Sequence, residues 1–361
     1  MNTLLGGLRI LDLSRLLPGP FCSLQLAQLG AEVIKIEEPQ GGDYARALFP
    51  ELFALVNRGK QSVTLDLRRE ADAETFRRMA QDADVVLESF RPGVMDKLGC
   101  GYAALKARNP RLVYAAITGY GQTGPWAQRA GHDMNYNGYA GVLDQTGTAG
   151  GPPALSNVQI ADLAGGALTA AMGILAAVIG ARQSGHGAFV DVGMMDGALA
   201  LQTLAVAGIR TTGHARPRGS DMLSGGLPNY RVYACADGGY VAMAALEPKF
   251  FQNFCRAVGR PDLAQKALAP GAAGAPLVAE LEALFKTRSR DEWDHLLADQ
   301  DCCVSAILNP EEALRTAQAQ ARGMVGQEQG KPVLHSPVRV EDAVTVTLAP
   351  APSLGAHNPA R

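Results

Sequence analysis

The chain has 361 residues, 47% hydrophobic and 19% charged, with a formal net charge of -2. That length exceeds one ordinary domain and supplies core for a large domain and a smaller one. The near-neutral balance gives no electrostatic case for nucleic acid or an anionic membrane surface as the main partner, so any anionic ligand must be met by local basic groups.

In chain order, the N-terminal "MNTLLGGLRILDL" lacks the basic start and long apolar run of a signal peptide, and "HNPAR" is no recognisable address, so the chain reads as untargeted. Six cysteines without C-x-x-C spacing fit a reducing cytoplasm. Short β-branched runs at 8–13, 32–37, 62–67, 84–89, 111–119 and 188–192 alternate with helix-like stretches, among them 20–30, stopped by Gly30, and 69–83, acidic in its first turns. The alternation predicts βαβ units and an α/β fold with a mostly parallel, doubly wound sheet, whose ligands lie beyond the carboxyl ends of its strands. No G-x-G-x-x-G follows the first strand and no Walker A motif appears, so there is no fingerprint for a nicotinamide or flavin dinucleotide. The Ala- and Gly-rich run from Leu163 to Ala181 carries little of the Leu, Ile and Phe that drives insertion and is expected as a buried core helix, not a membrane span.

A helical run near 194–210 leads into 211–230, rich in Gly, Pro, Arg and Ser, which reads as a connection between domains. Beyond it a β-hairpin is expected about Asp237-Gly238-Gly239, then helices at 249–259, 275–289 and 290–300, then a strand-like, Pro-punctuated tail at 336–355. The expected domains are 1–200, completed by about 325–361, a linker at 201–224, and a small α+β domain at 225–324.

No pair of histidines has metal-ligand spacing, so no metal site is expected. His132 stands out because it lies between Gly131 and Asp133, just past the fifth strand, where such a sheet opens its ligand crevice. Asp162 has two compatible readings, a cap for the long Ala/Gly helix or a base, acid or nucleophile held at that helix start. Arg15, Lys35, Arg46, Arg58, Lys60 and Arg91 stand near strand ends, either as solvated surface or at the ligand edge, where guanidinium groups suit phosphate.

The stretches "GLRILDLSRLLPGP", "QLGAEVIKIEEP", "NRGKQSVTLDL", "ADVVLESFRPGVMDKLG", "GYGQTGPWAQRAGHDMNY", "GAFVDVGMMDG" and "MLSGGLPNYRVYACADGGYVAMAALEPKF" resemble the class III CoA-transferase superfamily, and within it the α-methylacyl-CoA racemases. The resemblance implies a large Rossmann-like domain with a smaller one, two interlocked subunits, and a site where one subunit's large domain meets the other's small domain. It implies that His132 and Asp162 are the two bases, with Glu247 supporting them. Lys35, Arg58, Lys60 and Arg91, with Gly131, Asn135 and Tyr136, are then expected to bind coenzyme A and substrate.

Racemising a carbon α to a thioester needs two groups in complementary protonation states on opposite faces. The backbone N–H groups after Gly131, including that of Asp133, are the candidate donors to the enolate oxygen. The activity that the resemblance implies is a 2-methylacyl-CoA racemase of acyl-CoA metabolism, a homodimer needing no cofactor beyond the CoA of its substrate. The alternatives are a CoA-transferase in which Asp162 is the nucleophile, and an inactive CoA-binding scaffold. Two positions depart from the resemblance: Glu38 replaces a second arginine of bacterial racemases, and "SGGLPN" stands where transferases carry a glycine run.

Overall fold

A computed structural model describes residues 3–344 and 346–358. Six strands form one sheet: β1 (Arg9–Asp12), β2 (Glu32–Glu37), β3 (Gln61–Thr64), β4 (Val85–Glu88), β5 (Val113–Thr118) and β6 (Phe189–Gly193). Their spatial order is β3-β2-β1-β4-β5-β6 with every neighbour parallel. The order reverses between β1 and β4, the topological switch point of a doubly wound sheet.

All six residues of β5 are buried, as a strand covered on both faces requires. Alternate residues serve opposite layers. Ile10, Val33, Val85, Leu87, Val113 and Ile117 pack with the helices Pro18–Gln28 and Thr169–Ser184. Leu11, Ile34, Val86 and Tyr114 pack with Glu70–Gln81 and Tyr102–Arg108. Pro18 starts the first of these helices and Gly30, in the left-handed region at φ +105°, lets the chain leave it.

The Ala/Gly helix spans Ala161–Ser184 and is the one helix among the described residues long and apolar enough to cross a membrane. Ala167, Ala170, Ile174 and Val178 are buried on its sheet side, while Leu168, Met172 and Ile179 are exposed. Its first stretch, Ala161–Leu168, is a π-helix. That stretch crosses the helix Met194–Ala200 backbone to backbone: a Cβ on Gly165 would lie 2.8 Å from Ala198 N and Met194 O, and one on Gly197 would lie 2.1 Å from Gly165 O.

The described residues divide into two compact units. One holds the parallel sheet; the other comprises Leu143–Leu155 and Thr203–Ala319. The second has its own antiparallel sheet of β7 (Tyr230–Ala234), β8 (Tyr240–Ala244) and β9 (Val304–Ala306). The β7–β8 hairpin turns at the Asp-Gly-Gly triplet, with Gly238 at φ +84°. Tyr233, Phe251, Phe254, Phe285 and Trp293 form its core under the helices Pro248–Ala257, Ala275–Phe285 and Arg290–Leu297.

After it, β10 (Val325–Glu328) and β11 (Lys331–Leu334) make a hairpin. The expected strands at 336–355 do not form among the described residues, where prolines 337, 350 and 352 remove ladder donors. The segment instead closes the free edge of β3. Ser62 Oγ accepts from Gly355 N–H (3.0 Å), Ser62 O from His357 N–H (2.9 Å), and Asn358 Oδ1 from Thr64 N–H (2.8 Å).

Candidate active site

β5 delivers the chain to Gly119, and a loop leads to His132 at the start of the helix Asp133–Tyr139. Tyr136 is the buried post on which this turn is built. A Cβ at Gly119 or Gly131 would lie 2.5 or 2.7 Å from its ring, and its hydroxyl donates to Gly131 O. Asn135 Oδ1 accepts the His132 N–H at 3.1 Å, leaving the imidazole exposed at the mouth of the turn.

Asp133 joins this turn to the Ala/Gly helix. One carboxylate oxygen accepts the backbone N–H of Asp162 at 3.0 Å and the other accepts from Asn137 Nδ2 at 2.8 Å. Asp162 itself is not the N-cap. Ile160 holds that position with no side-chain cap, and Asp133 supplies an acceptor from outside the helix. The Asp162 carboxyl is thereby free for another task. Burial, then the charge of Asp133, pushes it up to about 7. It sits in a π-helical turn, a feature that recurs at functional sites. Burial, then the charge of Asp162, likewise raises the Tyr136 hydroxyl to about 12.

The basic residues divide sharply. Lys35 has no exposed surface, pairs with Asp43 at 3.0 Å and donates to Ser14 O at 2.8 Å. Lys60 is also buried and spends its ammonium on Asp12 (3.1 Å), Pro20 O (3.0 Å) and Asn57 Oδ1 (2.8 Å). Burial works against the Asp12 carboxylate, but the two ammoniums and the hydroxyls of Ser14 and Ser23 outweigh it and hold Asp12 at about 2. Arg58 precedes β3, which puts it at the amino edge of the sheet, and it pairs with Glu328 at 3.1 Å. These three cations are consumed inside the fold, so the expectation that they face a ligand is not what the geometry gives. Arg91 is exposed beyond β4 and lies within electrostatic reach of Tyr136. Glu247 is exposed in the second unit, at the N-cap of the helix Pro248–Ala257.

The model of CoA-transferase family III matches residues 5–358. The chain belongs to that family. It is similar to the α-methylacyl-CoA racemase of Homo sapiens, 33% identical over 356 residues, which cover 98% of this chain and 91% of the relative. It is also similar to the acetyl-CoA:oxalate CoA-transferase of Acetobacter aceti, 34% identical with 92% and 88% covered. The crystal structure of a CAIB/BAIF family protein from Brucella suis superimposes with a TM-score of 0.87 at 33% identity, covering 99% and 98% of the two chains. Racemases and transferases thus both stand among the relatives of this family III chain.

Two features of the site escape a reading of the sequence. The Asp133 side chain was not distinguishable from its backbone as the useful group. The other is an aromatic shelf built from the loop and helix that flank His132 in the chain: Trp126 and Tyr139 lie 4.7 Å apart, Tyr120 meets both edge-on, and the Arg129 guanidinium rests 5.3 and 4.8 Å over their rings. The aromatic content of "GYGQTGPW" was the available signal.

Proposed function

We propose that this chain is an acyl-CoA racemase that inverts the carbon α to the thioester by two-base proton transfer between His132 and Asp162. One observation carries the reading: Asp133 ties the turn bearing His132 to the half-buried Asp162 carboxyl, which its surroundings push up to about 7. A carboxyl with that affinity can hold a proton at pH 7 and also release it, which a racemase requires of each partner in turn. In one direction His132 takes the α-proton and Asp162 supplies one to the opposite face; in the other the roles exchange. The enolate oxygen formed between them is met by the N–H of Asp133, which opens the helix Asp133–Tyr139 and so has no intrahelical acceptor. The chain's own groups suffice for these steps without a further cofactor.

The exposed Leu168, Met172 and Ile179 are covered, in this reading, by a second copy of the chain, whose small domain brings Glu247 to the site as a supporting residue. The test is α-hydrogen exchange of 2-methylacyl-CoAs in deuterated water with no acceptor acid. Wild type should exchange and lose chirality, and His132→Ala should fall by at least about a hundredfold. No exchange across the panel, with other acyl-CoAs active, would refute it.

The second reading, transfer of CoA between carboxylic acids through an Asp162 anhydride and thioester, draws on the transferase names among the relatives. Hydroxylamine trapping of Asp162 after acyl-CoA exposure would support it. Transfer that persists in Asp162→Asn would count against it.

A further inference from the structure

The loop between β1 and the helix Pro18–Gln28 stands at the switch point, and it is pinned from every side. Lys35 holds the Ser14 carbonyl, Asp43 Oδ1 accepts the Leu16 N–H at 3.0 Å, and Gly19 lies so close to Ser14 that a Cβ would come within 2.1 Å of the serine Cβ. Leu16 is held at φ +64°, a left-handed conformation that a leucine keeps only where its surroundings over-determine it. What this rigid loop presents is Arg15. Its guanidinium lies 4.9 Å from the ring centres of both Tyr44 and Phe90, its Nη1 donates to Tyr44 Oη at 2.9 Å, and its backbone N–H donates to Ser89 Oγ at 3.1 Å. Among the described residues it pairs with no carboxylate, unlike Lys35, Arg58 and Lys60, and it remains partly open to solvent.

We infer that Arg15, clamped between Tyr44 and Phe90 at the switch point, is the seat for an anionic group of the substrate remote from its reacting carbon. This rests on the acyl-CoA reading above. An arginine held by aromatic faces keeps its fork preorganised, and the donors that Arg15 does not give to Tyr44 meet no carboxylate, which suits a phosphate or carboxylate ligand. The positive end of the helix beginning at Pro18 adds to the same field. Spacing says which part of the substrate arrives there. His132 follows β5 and Arg15 follows β1, with β4 between them, so the two strands that carry them are on the order of 10 Å apart. A group bound by Arg15 while the α-carbon lies at His132 must sit well along an elongated molecule. The phosphates of the coenzyme and a carboxylate at the far end of an acyl chain share that description.

The test is equilibrium binding by calorimetry to wild type, Arg15→Gln and Tyr44→Phe, each first checked for an unchanged melting temperature. Three probes are used: an acyl-CoA, the same acyl thioester of pantetheine, which has no phosphate, and a pantetheine thioester whose acyl chain ends in a carboxylate. Arg15→Gln should weaken the acyl-CoA by roughly tenfold to a hundredfold, and leave the uncharged pantetheine thioester unchanged. Tyr44→Phe should produce a smaller loss in the same probe. If the weakening falls only on the carboxylate-ended thioester, the seat serves the acyl chain instead of the coenzyme. Equal weakening of charged and uncharged probes, or none in any, overturns the inference. Because binding is read without turnover, the seat can stand where racemisation fails, and can fail where racemisation stands.

Discussion

Replacing Asp133 by Asn tests how the site sets its acid. The amide keeps an oxygen for the Asp162 N–H, so the helix start stays tethered, but the neighbouring negative charge is gone. With that N–H at 3.0 Å from Asp133, the two carboxylates stand roughly 6 Å apart, and at an effective dielectric of about 20–40 their repulsion is about 1.4–2.8 kcal/mol. Asp133 is only partly buried, which favours the lower figure, so Asp162 should fall from about 7 by about one pH unit. Burial, the larger cause of the elevation, remains. A two-base racemase is active with one proton shared between its bases, so its profile is bell-shaped with an optimum midway between two apparent pKa values. Lowering one of them by a unit should move the optimum of kcat/KM for α-hydrogen exchange down by about half a unit. An unchanged optimum, or one moved upward, in a folded variant that still binds substrate would refute this account of Asp162.

Other consequences follow from the same geometry. The Asp162 carboxyl is raised in the folded protein from 3.8 to about 7, so the folded state holds a proton that the unfolded state releases, and stability is lost as pH rises between those values, with a ceiling of about 4 kcal/mol. Asp162→Asn should therefore raise the melting temperature at pH 8 and leave it nearly unchanged at pH 4, while abolishing exchange. Lys60→Met strands the buried Asp12 carboxylate and should cost about 3–5 kcal/mol in urea unfolding, much of it recovered in the double variant with Asp12→Asn. Gly165→Ala forces a methyl against the Met194–Ala200 backbone, and should cost about 1–3 kcal/mol and reduce exchange by displacing the π-helical stretch that carries Asp162.

The sheet was legible because β5 and its neighbours are continuous runs of Val, Ile, Leu, Tyr and Ala, which only a doubly covered strand can bury. His132 was legible through its position past β5. Three of the basic residues, Lys35, Arg58 and Lys60, turn inward, and for Arg58 the reason is directional: a residue written just before a parallel strand stands at the amino edge of the sheet. Lys35 and Lys60 needed knowledge of Asp43 and Asp12, carboxylates that sequence spacing does not connect to them. The π-helical turn was invisible because Ala, Gly and Leu serve an α-turn equally well, and the close crossing of this stretch with the helix Met194–Ala200 is a long-range contact that local sequence does not announce. The long tail read as strand from its β-branched residues, yet it pairs with β3 through side chains and turns rather than a ladder.

That last arrangement bears on how the chain is made. The β3 edge emerges early in synthesis, but its partner, Asn358, lies 294 residues further on, with the whole of Thr203–Ala319 in between. A nascent sheet therefore waits with an open flank while the second unit is translated and folds. Contacts of such separation are slow to form and leave edges available to other chains. Ribosome-bound intermediates released before residue 355 should be the aggregation-prone species of this protein, a hazard of chain order and not of the finished fold.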